Sequence, residues 1–377
     1  LLILLVILVI GSVAYIKISN KNTFEQINTI KQEKNSENTQ TQIKTQQNKQ
    51  TIISTITNTI KKGVNKAVEN LKQSNSENYK GSLGSGGMFG GGIGTQTNPY
   101  IIEDCPDLQA IMNDLDAHYE LGNDIDCQET LNWNDKTTHP GETTIDNFRP
   151  IGDFGCNTTY KFYEKIPFTG TLNGKGHKIK NLVIGKYEYV DGWPKCRTLN
   201  PSGLFGYIKN AEIKNLILES PTFNNEISYN SRYEFPVNGL LAGYSENSFI
   251  KNCHVKNPII NNSQAIISGM IGNLQKSVIE NASVKNITLI RKTQIAGLVG
   301  CLNDSLINNS RVESDINNSN TNVAGLVSFA LNGTIMNSHY KGSLTGGVPG
   351  GIIAEISRIS WFKLRKVRIE KCYTEGQ

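Results

Sequence analysis

Charged side chains make up only 19% of these 377 residues and aromatic ones 8%, so Asn, Thr, Ser and Gly carry most of the polarity. Such a surface is polar through amides and hydroxyls rather than ions. Acidic residues are scarce where catalysis would need them: beyond residue 200 there are only two aspartates, Asp304 and Asp315. Paired carboxylates for sugar cleavage, or an aspartate cluster for calcium beside a base, require more than that. The five histidines (His118, His139, His177, His254 and His339) never form H-E-x-x-H, which removes the zinc-peptidase pattern. None of the seven cysteines belongs to a C-x-x-C pair, so zinc and thioredoxin-like readings are weak. No Ser-His-Asp arrangement can be picked out. These absences predict a chain that is not an enzyme, with no catalytic, cofactor-binding or metal residues and no cofactor.

Residues 1–16, LLILLVILVIGSVAYI, carry no charge. As a helix they would extend roughly 24 Å at ~1.5 Å per residue, slightly short of the ~20 residues of a typical membrane span. A signal-peptide core, a membrane anchor and an assembly helix that buries itself among copies of the chain all fit. The missing initial methionine, and the absence of a small-residue cleavage site after the run, favour assembly, with Leu1, Leu2, Leu5, Val6, Val9, Ile10 and Val13 as polymerisation residues. Residues 17–80 lack proline and read as a helical continuation, with Ile53, Ile56, Ile60, Val64, Val68 and Leu71 at helical spacing. A continuous helix of that length suits a stalk. Eleven Lys stand against five Glu in residues 1–80, so the net charge of +5 sits there. Aromatics are scarce among those lysines, which argues for a solvated helix face and against nucleic acid as a partner.

Residues 81–98, GSLGSGGMFGGGIGTQTN, read as a flexible glycine-rich linker. No preceding strand or following lysine-bearing helix supports a phosphate loop. Residues 99–178 read as a capping β subdomain with a short helix from Pro106. Asp124 and Asp126 within it could ligate a metal, but a turn in which they accept backbone donors is the stronger reading. If the leading segment exports the chain, disulfides become possible, and the bridges expected are Cys105–Cys127 and Cys156–Cys196.

From residue 179 onward a repeat takes over. Ile-Lys-Asn-Leu-Val-Ile (179–184) recurs at 213, 250, 279, 307 and 335, with a degenerate copy at 369–374. A second landmark, GLFG at 203, returns as GLLAG at 239, GMIG at 269, GLVG at 297, GLVS at 325 and GIIA at 351. The glycine steps of 36, 30, 28, 28 and 26 residues predict stacked units, since no single unit can bury its own apolar face. Short alternating segments between Asn, Gly and Ser turns exclude helical repeats. The fold class predicted is a long N-terminal α-helix followed by an all-β, right-handed parallel β-helix over 179–377, with rungs ~4.8 Å apart. Asn181, Asn215, Asn252, Asn281, Asn309 and Asn337 are assigned to one turn column, an amide ladder running along the stack. Cys253 and Cys372 fall in the next, small-residue column and read as core fillers. His254 and His339 fall at equivalent, outward positions.

The GLFG and GLVG landmarks followed by I-x-N-C/L/S-x-V resemble the GLUG-motif repeats of bacterial and archaeal surface proteins. HYELGNDIDC…NFRPIG…FTGTLNGKGHKIKNLVI is similar to the region that commonly precedes those repeats. That resemblance covers about residues 100–377 and implies an exported β-helix with adhesive or structural duty; some members are attached to immunoglobulin A peptidases. Residues 1–75 separately resemble a processed type IV pilin of the archaeal kind, departing from the bacterial pattern in having Leu5 where a glutamate is usual.

Sequons are abundant: Asn157, Asn261, Asn286, Asn303, Asn308, Asn317 and Asn332 are candidate glycosylation sites, with Asn281 set aside as a ladder member. Together these features predict a structural subunit of an extracellular type IV pilus-like filament, helices in the core and β-helix outside. Its partners would be copies of itself, the membrane before assembly, and a surface glycan or cell receptor. The alternative is a monomeric adhesin anchored in the membrane by residues 1–16.

Overall fold

The computed structural model describes residues 89–133, 147–152, 166–185, 201–225, 237–262, 266–290, 294–356 and 366–376. The chain divides into two units, Leu1–Asn78 and Tyr79–Gln377. The expected polymerisation residues 1–13 and stalk helix lie outside the described residues, as do Cys156, Cys196 and Asn157.

The structure of the second unit is generated by one corner, repeated. Asn210, Asn215 and Ser220, five residues apart, have φ of 52°, 53° and 53°. One rung later the same corners fall on Asn247, Asn252 and Asn257, and then on Lys276, Asn281 and Asn286, with φ between 47° and 55°. This left-handed conformation crowds Cβ against the backbone, and Asn tolerates it better than other non-glycine residues. The residue after each corner and the one two further on point inward. Ala211 and Ile213, then Leu216 and Leu218, are buried in one rung; Ser248 and Ile250, then Cys253 and Val255, are buried in the next.

Among the described residues the strands form parallel sheets of nine, eight, six, five and four members. One turn of the chain passes through Phe205–Lys209 (six-stranded), Glu212–Lys214 (nine-stranded), Ile217–Glu219 (eight-stranded), Thr222–Asn225 (four-stranded) and Val237–Gly239 (five-stranded). It then rejoins the six-stranded sheet at Ala242–Glu246. Rungs stack in register, so equal positions form columns. Leu172, Ile213, Ile250, Ile279, Ile307 and Ile335 make one such interior column, each fully buried and each worth about 1.5–3 kcal/mol of burial. This is the predicted parallel, all-β solenoid.

Two devices hold the corners together. Outside, the Asn215 amide donates to Asn173 Oδ1 (3.0 Å), Asn252 to Asn215 (2.9 Å) and Asn281 to Asn252 (2.8 Å). The expected ladder therefore runs through Asn215, Asn252 and Asn281, but further on Asn337 donates to Asn308 at 2.9 Å instead of Asn309. Inside, the N–H following a corner needs an acceptor in an apolar interior, and a serine of the next rung supplies it. Ala211 N–H donates to Ser248 Oγ (3.1 Å), Ser248 N–H to Ser277 Oγ (3.0 Å) and Ser277 N–H to Ser305 Oγ (3.0 Å). Each hydroxyl then donates to the carbonyl two residues before it, Glu246, Gln275 and Asn303, at 2.8, 2.8 and 2.7 Å. Cys253 and Cys372 stand at the same offset, their thiols on the Lys251 and Glu370 carbonyls at 3.4 and 3.2 Å.

The glycine landmark has a steric cause. A Cβ on Gly203, Gly269, Gly297 or Gly325 would lie 2.2, 2.2, 2.1 or 2.1 Å from the carbonyl oxygen of the glycine one rung on. Backbone occupies the space that any side chain would need.

Three boundaries differ from expectation. Residues 89–98 belong to the folded unit: Gly90 N–H donates to the Ile101 carbonyl at 2.8 Å and His118 N–H to the Gly94 carbonyl at 2.8 Å. Gly92 and Gly94 serve there as turn residues with φ of 85° and 76° rather than as flexible spacer. Second, Tyr100–Ile102, His118–Leu121 and Thr171–Asn173 are the opening strands of the nine-stranded sheet. The segment 99–178 thus supplies the first rungs and joins the solenoid without a break at 178. Its cap is the helix Cys105–Ala110, whose Asp104 side chain accepts the Asp107 N–H at 2.8 Å. Third, Ile179 pairs with Leu218, not Ile213, which places Asn181 in the corner column of Ser220, Asn257 and Asn286. Successive five-residue steps look alike because each demands a left-handed corner and the same two inward positions, so sequence spacing alone aligns the first copy one corner out of place.

Ser277→Ala removes the acceptor for the Ser248 N–H and should cost about 1–3 kcal/mol. Ser277→Cys should cost distinctly less, since Cys253 already fills an equivalent position. Equal melting temperatures for Ser277→Ala and the unaltered chain would contradict the inner ladder.

Candidate functional site

The polar residues singled out in the sequence mostly serve the corners. Asp124 Oδ1 accepts the Lys178 N–H at 3.0 Å and Oδ2 pairs with Lys180 Nζ at 3.1 Å. The hydrogen bond from Lys180 is the main influence holding this carboxyl below its usual range. Asp126 Oδ1 accepts the Gln128 N–H at 3.1 Å and the Asn181 amide at 3.0 Å. Both carboxylates are thus acceptors for turn and neighbouring-rung donors. Cys105 and Cys127 form the expected disulfide, Cα–Cα 5.5 Å across a separation of 22 residues; a closure of that size is worth about 3 kcal/mol. Cys253 is buried and its thiol is pushed up to about 12 by desolvation. The same cause pushes Cys301 to about 11, so neither is a ready nucleophile at neutral pH.

The candidate glycosylation sites separate by what their hydroxyl partner does. Asn303 and Asn308 depend on Ser305 and Ser310, and both serines are buried in the inner ladder. Asn261 is half-buried, its amide on Asn224 Oδ1 at 3.1 Å. Asn332 is half-buried as well and bonds Asp304. Asn286 and Asn317 are exposed. Peptide mapping by mass spectrometry of the chain from its native cells should find any glycan on Asn286 or Asn317 and none on Asn303 or Asn308; sugar on Asn303 or Asn308 would contradict this ordering.

Outward residues form columns of chemistry along the faces. On the eight-stranded sheet, His254, Ser283, Arg311, His339 and Tyr373 succeed one another rung by rung. His254 Nδ1 lies 2.8 Å from Ser283 Oγ and the His339 ring stacks on Tyr373 at 4.7 Å. Both imidazoles are held below the ordinary histidine range, first by burial and then by Arg311. They are partnered and half-buried, not solvent-facing as the repeat alternation predicts. On the nine-stranded sheet the outward column is Glu212, Phe249, Val278, Leu306, Thr334 and Arg368. Beside it, where the chain turns in from the six-stranded sheet, opens a shallow groove of about 410 Å³ with Val278, Leu306 and Thr334 on its floor. Lys276, Asp304, Asn332 and Lys366 line its rim. Sequence reading missed this groove, because it joins residues from four rungs. The signal lay in the positions two after each corner, where Phe249, Val278 and Leu306 break the otherwise polar outer pattern.

No family model matches the chain, so the likenesses to GLUG repeats and to pilins rest on the residues quoted for them. A stretch of 136 residues is 32% identical to halomucin of Haloquadratum walsbyi and covers 35% of this chain and 1% of halomucin. A stretch of 134 residues is 34% identical to a protein of Evansella cellulosilytica named as a Gly-rich membrane protein, covering 35% of this chain and 12% of that one. The chain therefore spans only a small part of either relative. Among solved structures, one named IgA1 protease matches 73% of this chain and 20% of its own at 17% identity, with a TM-score of 0.43. An immunoglobulin A1 protease structure from Bacteroides ovatus matches 77% of this chain and 88% of its own at 14% identity, with a TM-score of 0.28. The expectation that the chain is not an enzyme is corrected here: the solved structures that resemble it carry protease names, so that exclusion no longer stands. Likeness at these scores assigns neither an activity nor a catalytic residue to this chain.

Proposed function

We propose that the chain is an extracellular β-solenoid displayed at the cell surface, with a structural and adhesive role as the subunit of a type IV pilus-like filament. The observation that carries the extracellular part is the Cys105–Cys127 disulfide closing the cap, a bond that persists in oxidising compartments. The likeness to halomucin and to a Gly-rich membrane protein supports a cell-surface or membrane-associated location. The columns of outward side chains along the stacked rungs give an adhesive surface with several adjacent points of contact.

The filament part rests on the sequence of residues 1–16. Burying each Leu, Ile or Val there is worth about 1.5–3 kcal/mol, and neighbouring copies of the same segment offer an apolar surface to cover them. Identical helices stacking with a rotation that does not close give an open filament, and Gly11 and Ser12 permit close approach midway. The second reading, a monomeric adhesin held in the membrane by the same residues, is favoured by the relative named as a membrane protein.

Val6→Asp or Ile10→Asp should leave the solenoid folded by circular dichroism and abolish filaments in negatively stained cell-surface preparations. Normal filaments from either variant would contradict the assembly reading. Surface-bound chain that never forms filaments, even unaltered, would favour the anchored monomer.

A further inference from the structure

The groove on the nine-stranded sheet combines three features that stand apart from the rest of the surface. Its floor is apolar: Val278 and Leu306 continue the column of Phe249, which is 50% exposed. Its rim is cationic on balance, with Lys276 and Lys366 against the one carboxylate of Asp304. Lys251, Lys285 and Lys341 pair with Glu280, Glu313 and Glu375 at 3.0, 2.8 and 3.0 Å, whereas Lys276 and Lys366 have no acidic partner among the described residues. Short hydrogen-bonding groups complete the rim, the Asn332 amide donating to Asp304 Oδ1 at 2.5 Å, with Thr334 below.

Backbone donors and acceptors of this face are already spent between rungs, so an extended peptide cannot be added as a strand. An occupant must bind through side chains alone. It must offer flat C–H surface to Val278 and Leu306, a separate anionic group to each lysine, three rungs apart, and hydroxyls to Asp304, Asn332 and Thr334. A uronic-acid sugar carries all three on one ring. The rungs repeat at ~4.8 Å, about the advance of one sugar in an extended polysaccharide, so successive rings meet successive rungs. We propose that this groove binds an acidic polysaccharide of uronic-acid sugars laid along the stacking direction. The inference gives the adhesive reading its ligand class and rests on it only for the chain meeting such a polymer outside the cell.

Titration calorimetry of the purified full chain with an oligogalacturonate tests it, because binding in solution does not depend on where cells place the protein or whether it polymerises. Saturable binding is expected, weakened at least tenfold by methyl esterification of the sugar carboxylates. A tenfold loss is also expected in Lys276→Gln/Lys366→Gln, whose exposed positions leave the melting temperature unchanged, and in Leu306→Asn. No binding, binding indifferent to these substitutions, or equal binding of a glutamate oligopeptide would overturn the proposal. Surface display without oligogalacturonate binding would remove the ligand and leave the adhesive reading standing.

Discussion

The backbone N–H that follows the left-handed corners at Asn210, Asn247 and Lys276 decides how this solenoid is built. Turning the chain at three corners five residues apart in each of these rungs requires a positive φ, and the first turn drives the next amide into the interior. An unpaired buried N–H costs about 1–3 kcal/mol, repeated at corner after corner. Serine on the next rung removes that cost while its own hydroxyl reaches back to a carbonyl. After the corners at Asn247, Lys276 and Asp304 the residue is therefore serine, most corners carry Asn with Ser220 and Lys276 among the exceptions, and the strand between corners is three residues long with one inward side chain. The apolar columns supply most of the stabilisation, while the corner sets which residues can face in.

Register follows from the same constraint. Because successive rungs from Ala211 to Ser305 present this amide to a neighbour's serine, a slipped rung there would lose both the inner ladder and the interior isoleucine column. The glycine landmark acts with it on the opposite side of the tube: Gly297 and Gly325 leave room only for each other's backbone. Two different exclusions, one polar and one steric, thus hold successive turns at one spacing. At the N-terminal end the stack is closed by helix Cys105–Ala110 and by Phe89, Tyr100, Tyr119 and Phe168, whose rings succeed one another at 4.6–6.2 Å. At the other end Ile369, in the same interior column as the fully buried Ile335, is 47% exposed.

Much of this was legible in the sequence. The recurrence of Ile-x-Asn and of the glycine landmark identifies a parallel solenoid, and Asn215, Asn252 and Asn281 are found in one ladder. Residue-level register was not legible for the first copy, because Asn181 and Asn215 obey identical local rules at adjacent corners. Glycines 90–94 look like linker in sequence and are turns in the fold, since composition does not distinguish freedom from a required positive φ. The serines after the corners carried the information about the inner ladder but read as ordinary turn residues. The groove was hidden for another reason: Lys276, Leu306, Asn332 and Lys366 are far apart in sequence and meet only when rungs stack.

The central claim, that buried serines on one rung satisfy the post-corner amides of the rung before, is tested most directly by residue-resolved native-state hydrogen exchange. Surface turns open readily and exchange near unfolded rates, whereas amides bonded within a packed core exchange only with larger opening. The N–H groups of Ala211, Ser248 and Ser277, and that of Ala282, which donates to Ser310 Oγ at 3.2 Å, should be protected as strongly as those of the neighbouring strand residues Ile213, Ile250 and Ile279. Exchange of those four amides at the rates of ordinary exposed turns, with the strands still protected, would contradict the account.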